Sequence, residues 1–191
     1  MSSKTDTTSH FTKSHPAAPW SAKRISITAL FVAAATITSY LSIPLFPAAP
    51  YLKYDPSGAL CLIAGFAGGP SLGLYVSLLM WLPHFPVDPI GACMGAIAAV
   101  SMTVPAALVY QHHRTRSGAF AAMVAGAAIC LAACIGANLL ITPLYTALDT
   151  AGVAKLIWPV ILPFNAVKIF LNCLICSAVY KNVSAVMGRL S

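Results

Sequence analysis

Apolar residues are concentrated in five long stretches of the chain, which short polar segments separate. These stretches cover residues 25–46, 57–85, 90–111, 118–145 and 158–180. A helix needs about 20 mostly apolar residues to cross the hydrocarbon core of a bilayer, so the pattern predicts an all-α membrane protein. Gly68-Gly69-Pro70 interrupts the second stretch, which forms either one kinked helix or two short helices joined by a tight turn.

The composition points to the same class of protein. Hydrophobic residues make up 59% of the 191 residues and charged residues only 8%, whereas a soluble domain carries roughly 25% charged residues. Because so few charges cannot cover a globular surface, the composition excludes a soluble protein and indicates an integral membrane protein.

The basic residues decide between five and six spans, because cytoplasmic loops are enriched in Lys and Arg. They cluster in the N-terminal tail, in residues 112–116 and near the C-terminus. Six helices place these three clusters on one side of the membrane, and five helices do not. We therefore expect a bundle of six transmembrane helices with both termini in the cytoplasm. This topology explains the net charge of +7 better than binding to nucleic acid does.

Three regions follow from this pattern. Residues 1–24 are polar and rich in Ser, Thr and His, which predicts a disordered cytoplasmic tail. Residues 25–182 form the six-helix transmembrane domain, and residues 183–191 form a cytoplasmic C-terminal end. The segment that contains Asp149 and Lys155 is expected to be an outer loop before the last helix.

The last apolar stretch contains polar residues where lipid is expected. Asn165, Lys168 and Asn172 are spaced so that they share one face of a helix. A charged side chain at the bilayer centre costs roughly 2.5–3.5 kcal/mol, and snorkelling to an interface is one way to reduce that cost. Because Lys168 lies about midway along the helix, we favour a functional polar face. Asn138 in the preceding helix is a second membrane amide, which serves either helix packing or the same pocket.

The connection after the first helix, "PLFPAAPYLKYDPSG" (44–58), is unusually apolar and aromatic. Its four prolines stiffen it, and its aromatic residues favour contact with protein or lipid over water. Two interpretations remain open: a lid over a cavity, or a loop seated at the membrane interface by its aromatic side chains.

Several functional classes lack support in the sequence. All four acidic residues are aspartates outside the predicted spans, although ion-coupled carriers normally use a membrane carboxylate. The phosphate-binding motif G-x-x-x-x-G-K-[ST] and any catalytic constellation are missing, so we expect no enzyme. The six cysteines predict apolar filling rather than a metal site. The chain is suited to binding a molecule but not to driving its transport.

The sequence resembles the substrate-binding S components of energy-coupling-factor (ECF) vitamin transporters, most closely the riboflavin-specific ones. The resemblance covers residues 23–182 and rests on five short segments. These are "YLKYDPSGAL", "GFAGGPSLG", "LPHF", "ANLLITPLY" and "ILPFNAVK"; the Pro-Phe-Asn-x-x-Lys pattern in the last is the most specific.

The resemblance implies a subunit of the bacterial plasma membrane that captures riboflavin from outside in a pocket closed by the connection between helices one and two. The transported riboflavin is its ligand, and no cofactor is implied. The implied ligand contacts are Asn138, Asn165 and Lys168, together with Tyr51, Lys53 and Asp55 in the covering segment.

Small residues on the first helix carry a further expectation. Ala29 and Ala33 have the small-xxx-small spacing that permits close helix contact, within this bundle or with another subunit. The resemblance implies that they dock on the transmembrane coupling subunit of an ECF importer, to which two ATPase subunits supply energy.

Riboflavin suits the polar residues because its ring is flat and uncharged, with alternating acceptors and a donor along its pyrimidine edge. Two amides and an ammonium group satisfy that edge. Biotin, FMN or another vitamin remains an alternative ligand. A non-transporting membrane scaffold, in which Lys168 is structural, is the alternative from a different functional class.

Overall fold

The structure is a computed structural model that describes residues 21–45 and 52–190. Six helical segments run through these residues, and the last of them changes geometry along its length. The first five are α1 (Ala22–Ser39), α2 (Ser57–Gly68), α3 (Pro70–Leu79), α4 (Pro89–His112) and α5 (Arg116–Ile141). The sixth consists of α6 (Thr150–Leu156), a π-helical turn (Ile157–Ile161) and α7 (Leu162–Leu190).

Short elements complete the described chain. Two 3₁₀ turns, Leu82–His84 and Thr142–Leu144, follow α3 and α5. Strand β1 (Ile43–Pro44) pairs antiparallel with β2 (Lys53–Tyr54) in the connection between α1 and α2. Strand β2 lies in the connection that the sequence predicts as a loop, whereas β1 lies within residues 25–46, which the sequence predicts as the first helix.

The interrupted second apolar stretch forms two short helices, as the six-helix prediction requires. Gly69 separates them with φ +87° and ψ 174°, a backbone conformation that is essentially confined to glycine. Pro70 follows as the first residue of α3, where a missing backbone N–H costs nothing. The turn is therefore encoded by this Gly-Pro pair.

Three predicted helix boundaries are wrong. The first helix begins at Ala22 and ends at Ser39 rather than spanning 25–46. The last helical segment begins at Thr150 rather than 158, because Asp149 caps it by accepting a hydrogen bond from the backbone N–H of Gly152 at 2.8 Å. Lys155 consequently lies within α6 and not in an outer loop.

The core forms where α4 packs along α5, with α2 against α4 and α7, and α7 against α5. Leu62 and Ile63 of α2 meet Met102 of α4 in one cluster of buried side chains. Gly126 of α5 lies so close to α4 that an added Cβ would come within 2.5 Å of the Met102 carbonyl oxygen. Small residues thus let these helices approach closely.

The outer surface of the bundle is apolar. Leu140 and Trp158 are exposed by 76% and 78%, which suits a lipid environment better than water. Among the described residues, three helices are long and apolar enough to cross a membrane: Pro89–His112, Arg116–Leu144 and Thr150–Tyr180. Helices α1, α2 and α3 fall outside this group. The orientation of the termini stays a prediction, and residues 1–20 of the predicted tail lie outside the described residues.

Candidate functional site

An ion pair joins the connection before α2 to the middle of the last helical segment. The Nζ of Lys168 lies 3.0 Å from Oδ2 of Asp55, and their side chains are exposed by 17% and 6%. The two residues are 113 positions apart in the sequence. The polar face predicted on the last helix therefore includes a lysine whose ammonium group is partnered by a carboxylate.

Local geometry fixes the carboxylate of Asp55. Its Oδ1 accepts hydrogen bonds from the hydroxyl of Ser57 and from the Ser57 backbone N–H, the latter at 3.2 Å. Ser57 is the first residue of α2, so the carboxylate lies at a helix N-terminus, where backbone N–H groups and the helix dipole stabilise negative charge. Asp55 is thus held on two sides, by α2 and by Lys168.

The ion pair lines a partly open cavity whose other lining residues come from α2, α4, α5, α7 and the segment directly after α3. The space between its lining atoms is about 400 Å³ when the open solvent at its mouth is included. Apolar side chains such as Met80, Met102 and Ile169 form much of the wall. Its polar side chains are those of Asp55, Ser57, Thr103, Asn165, Lys168 and Asn172, with the indole of Trp81.

Asn165 is placed in this wall by the π-helical turn. Its Nδ2 donates to the carbonyl oxygen of Ile161 at 2.8 Å, and its side chain is buried. Asn165 and Lys168, predicted from their spacing, therefore line one cavity together with Asp55.

The connection that carries Asp55 packs against the last helical segment. Leu52 and Phe164 are buried against each other, with Leu45 and Val160 beside them. This contact places the β1–β2 connection over the part of α7 that bears Asn165.

The remaining loop residues have different positions. Lys53 lies on β2 with an exposed side chain and is not among the residues that line the cavity. Burial, with the neighbouring charge of Asp55, raises the pKa of the Tyr54 phenol above its ordinary value. Tyr51 lies outside the described residues. Of the loop residues predicted for the site that the structure describes, Asp55 lines the cavity and Lys53 does not.

Asn138 is buried but is not brought into the cavity. Its Nδ2 donates to the Cys134 carbonyl oxygen at 2.8 Å, and its Oδ1 accepts from the Thr142 hydroxyl at 3.1 Å. Both groups therefore bond within α5 and the turn that follows it. A ligand-binding role for Asn138 stays a prediction.

Sequence reasoning missed two polar residues of the cavity wall and left the role of a third open. Trp81 Nε1, Thr103 Oγ1 and Asn172 Oδ1 are buried without a hydrogen-bond partner among the described residues. Asn172 shares the predicted polar face with Lys168, which was a usable signal. Thr103 and Trp81 gave none, because both residue types are ordinary in membrane helices.

A second concave surface lies between α1 and α3. Ala29 and Ala33 are exposed and line this groove with Tyr75 and Leu79. The groove is open to its surroundings, and the space counted in it, open solvent included, is about 1080 Å³. The small-residue face of α1 is therefore turned away from the helix core.

Comparisons with known proteins cover nearly the whole chain. The family model for the substrate-specific component of ECF transporters matches residues 23–180. The riboflavin transporter RibU of Staphylococcus aureus (strain TCH60) is 25% identical over 177 residues, which cover 88% of this chain and 94% of that protein. A solved structure of the S component of a bacterial ECF transporter matches with a TM-score of 0.74 at 22% identity, covering 86% of this chain and 97% of that one. The chain belongs to the substrate-specific components of ECF transporters, a family of transporter subunits and not of enzymes.

Proposed function

We propose that this chain is the substrate-capture subunit of an ECF importer in the bacterial plasma membrane and that riboflavin is its ligand. The observation that carries the proposal is the convergence of Asn165, Lys168 and Asp55 on one largely apolar cavity. Apolar walls with a few convergent polar groups are the usual form of a small-molecule site.

The charge of the cavity favours an uncharged ligand. Within the described part of the chain, its charged lining residues are Asp55 and Lys168, which pair with each other. The wall thus has a net charge near zero. Riboflavin needs no charged partner, whereas the carboxylate of biotin or the phosphate of FMN competes with Asp55 for the same ammonium group.

The similarity to RibU supports the same ligand. In the proposed complex, the Asn165 and Lys168 side chains donate to the acceptors of the pyrimidine edge, and the apolar wall covers the ring. The groove that contains Ala29 and Ala33 docks on the transmembrane coupling subunit, and two ATPase subunits supply the energy for uptake.

Titration of the detergent-purified protein with riboflavin tests the proposal. We expect quenching of flavin fluorescence with sub-micromolar affinity. Lys168→Met is expected to weaken binding by about 1.5–3 kcal/mol, the contribution of a hydrogen bond to a charged group, which is about 10-fold to 150-fold in Kd.

Lys155→Met is the matched control, because Lys155 is exposed on α6 and is not among the cavity-lining residues. Its riboflavin affinity should equal that of the wild type. Unchanged binding by a folded Lys168→Met protein would remove Lys168 from the site. Absence of flavin binding in the wild type, with binding of biotin or another vitamin instead, would reassign the ligand.

A further inference from the structure

We propose that Thr103, Asn172 and Trp81 form a hydroxyl-binding subsite of the cavity. This inference rests on the proposed function and extends it, because it assigns the ribityl chain of the flavin to these residues and leaves the ring to Asn165 and Lys168. The three side chains are exposed by only 1%, 2% and 9%. Each carries a polar atom without a hydrogen-bond partner among the described residues.

The methyl group and the hydroxyl group of Thr103 have different surroundings. The Cγ2 methyl lies 3.1 Å from the position of an added Cβ on Gly65 and 2.7 Å from that on Gly73. The methyl group is therefore seated against the two glycines of α2 and α3. The hydroxyl has no bond to the backbone of its own helix, which a membrane threonine commonly forms. The hydroxyl can therefore form a hydrogen bond with a ligand in the cavity that Thr103 lines.

Close packing also holds Asn172. An added Cβ on Gly58 would come within 2.5 Å of the Asn172 Nδ2, so the amide nitrogen lies against the first turn of α2. The carbonyl oxygen Oδ1 at the other end of the amide is the unpartnered atom. Asn172 follows Lys168 by one helical turn, about 6 Å along the axis. It extends the polar wall beyond the ion pair.

Trp81 supplies a donor to the same wall. Its indole lies against Gly95 of α4, where an added Cβ would come within 2.2 Å of Cζ2. The ring is thus held by a close contact with the backbone of the neighbouring helix. Its Nε1–H is buried without an acceptor among the described residues.

Together the three atoms offer one acceptor, one donor and one hydroxyl that can serve as either. A buried polar group left unsatisfied costs about 1–3 kcal/mol, so three in one wall favour a ligand that satisfies them. An aliphatic polyol does so, because each hydroxyl both donates and accepts. The ribityl chain carries such hydroxyls, and the flat ring does not.

A comparison of two flavins separates the subsite from the ring site. Riboflavin carries the ribityl chain, and lumiflavin carries a methyl group in its place. We expect Thr103→Val, Asn172→Leu and Trp81→Phe each to weaken riboflavin binding about threefold to twelvefold, the equivalent of one neutral hydrogen bond. Lumiflavin binding should change by less than about twofold, since it makes no such bond.

Thr38→Val is the matched control, because the Thr38 hydroxyl bonds to the Ala34 carbonyl oxygen within α1 at 2.7 Å and Thr38 does not line the cavity. Thr103→Ser keeps the hydroxyl and should keep the preference for riboflavin. If the Thr103→Val protein does not fold, the Thr103→Ser protein still tests whether the hydroxyl is needed.

The outcomes distinguish the two proposals. Equal losses for both flavins, or no loss for either, overturn the subsite and leave riboflavin capture in place; in that case the polar atoms serve bound water or the fold. A wild-type protein that binds riboflavin no more tightly than lumiflavin also overturns it. Failure of the wild type to bind either flavin overturns the proposed function, and the ribityl assignment with it.

Discussion

At the scale of single residues, Lys168 shows how a charge is accommodated within an apolar helix. Its ammonium group does not depend on snorkelling to an interface, because the carboxylate of Asp55 lies 3.0 Å away. Asp55 is in turn held by Ser57 at the start of α2. A buried ion pair adds little net stability, but its disruption leaves an uncompensated charge.

Asp55→Asn should therefore destabilise the protein by about 3 kcal/mol, the lower end of the cost of breaking a buried pair, because Lys168 keeps some exposure. Asparagine retains an oxygen that can accept hydrogen bonds from Ser57. The loss of stability in this variant is therefore due to the missing negative charge of Asp55. The difference in free energy of unfolding between the variant and the wild type, measured in detergent, gives this destabilisation. The double variant Asp55→Asn/Lys168→Met should regain most of that stability, and a loss equal to the sum of the single variants would contradict the explanation.

The sequence predicted those residues of this site that a short-range pattern distinguishes. Asn165 and Lys168 stood out because polar residues at helical spacing are rare in an apolar stretch. The partnership of Lys168 with Asp55 could not be derived from spacing, since 113 positions separate them. The hydroxyl of Thr103 also gave no signal, because its lack of a backbone partner depends on how the methyl group packs.

At the scale of elements, the turn between α2 and α3 depends on the backbone of one residue. Gly69 has a positive φ, and an added Cβ would meet nothing within 4 Å. Any cost of a side chain there is consequently conformational and not steric. The Gly-Gly-Pro sequence marked the interruption, and the positions of the basic residues decided for two helices joined by a turn. The end of α1 and the start of α6 were not predicted, because the apolar pattern does not record capping or strand pairing.

Gly69→Ala should destabilise the protein by about 1–3 kcal/mol, the cost of a conformation that L residues rarely adopt. Gly136→Ala is the matched control, because Gly136 lies within α5 and also has open space at its Cβ. There alanine should be neutral or stabilising by up to about 1 kcal/mol, since it favours the helix. Thermal unfolding in detergent compares the two variants. Equal stabilities would contradict the conformational argument.

At the scale of the whole molecule, polar and apolar residues are distributed differently from those of a soluble bundle. Asn138, Asn165 and Asn172 are buried, whereas Leu140 and Trp158 are among the most exposed side chains. Composition predicted this general arrangement. The groove between α1 and α3 required the structure, because the small-residue spacing on α1 alone does not distinguish an internal contact from an external one.

Filling that groove should separate ligand capture from transport. Ala33→Trp should leave riboflavin affinity unchanged, because Ala33 lies outside the cavity, and should abolish copurification with the transmembrane coupling subunit by blocking close helix contact. Ala121→Trp is the matched control, since Ala121 is exposed on α5 away from the groove. Retained copurification of the Ala33→Trp protein would place the docking face elsewhere.

The long sequence separation between Asp55 and Lys168 also affects how the molecule is made. Synthesis proceeds from the N-terminus, so the carboxylate leaves the ribosome well before the lysine that neutralises it. Until the last helical segment is inserted, the hydrogen bonds of Asp55 within the described residues are those from Ser57, and the cavity has no α7 wall. The ion pair therefore forms only when nearly the whole chain is present, which makes the cavity one of the last parts of the protein to be completed.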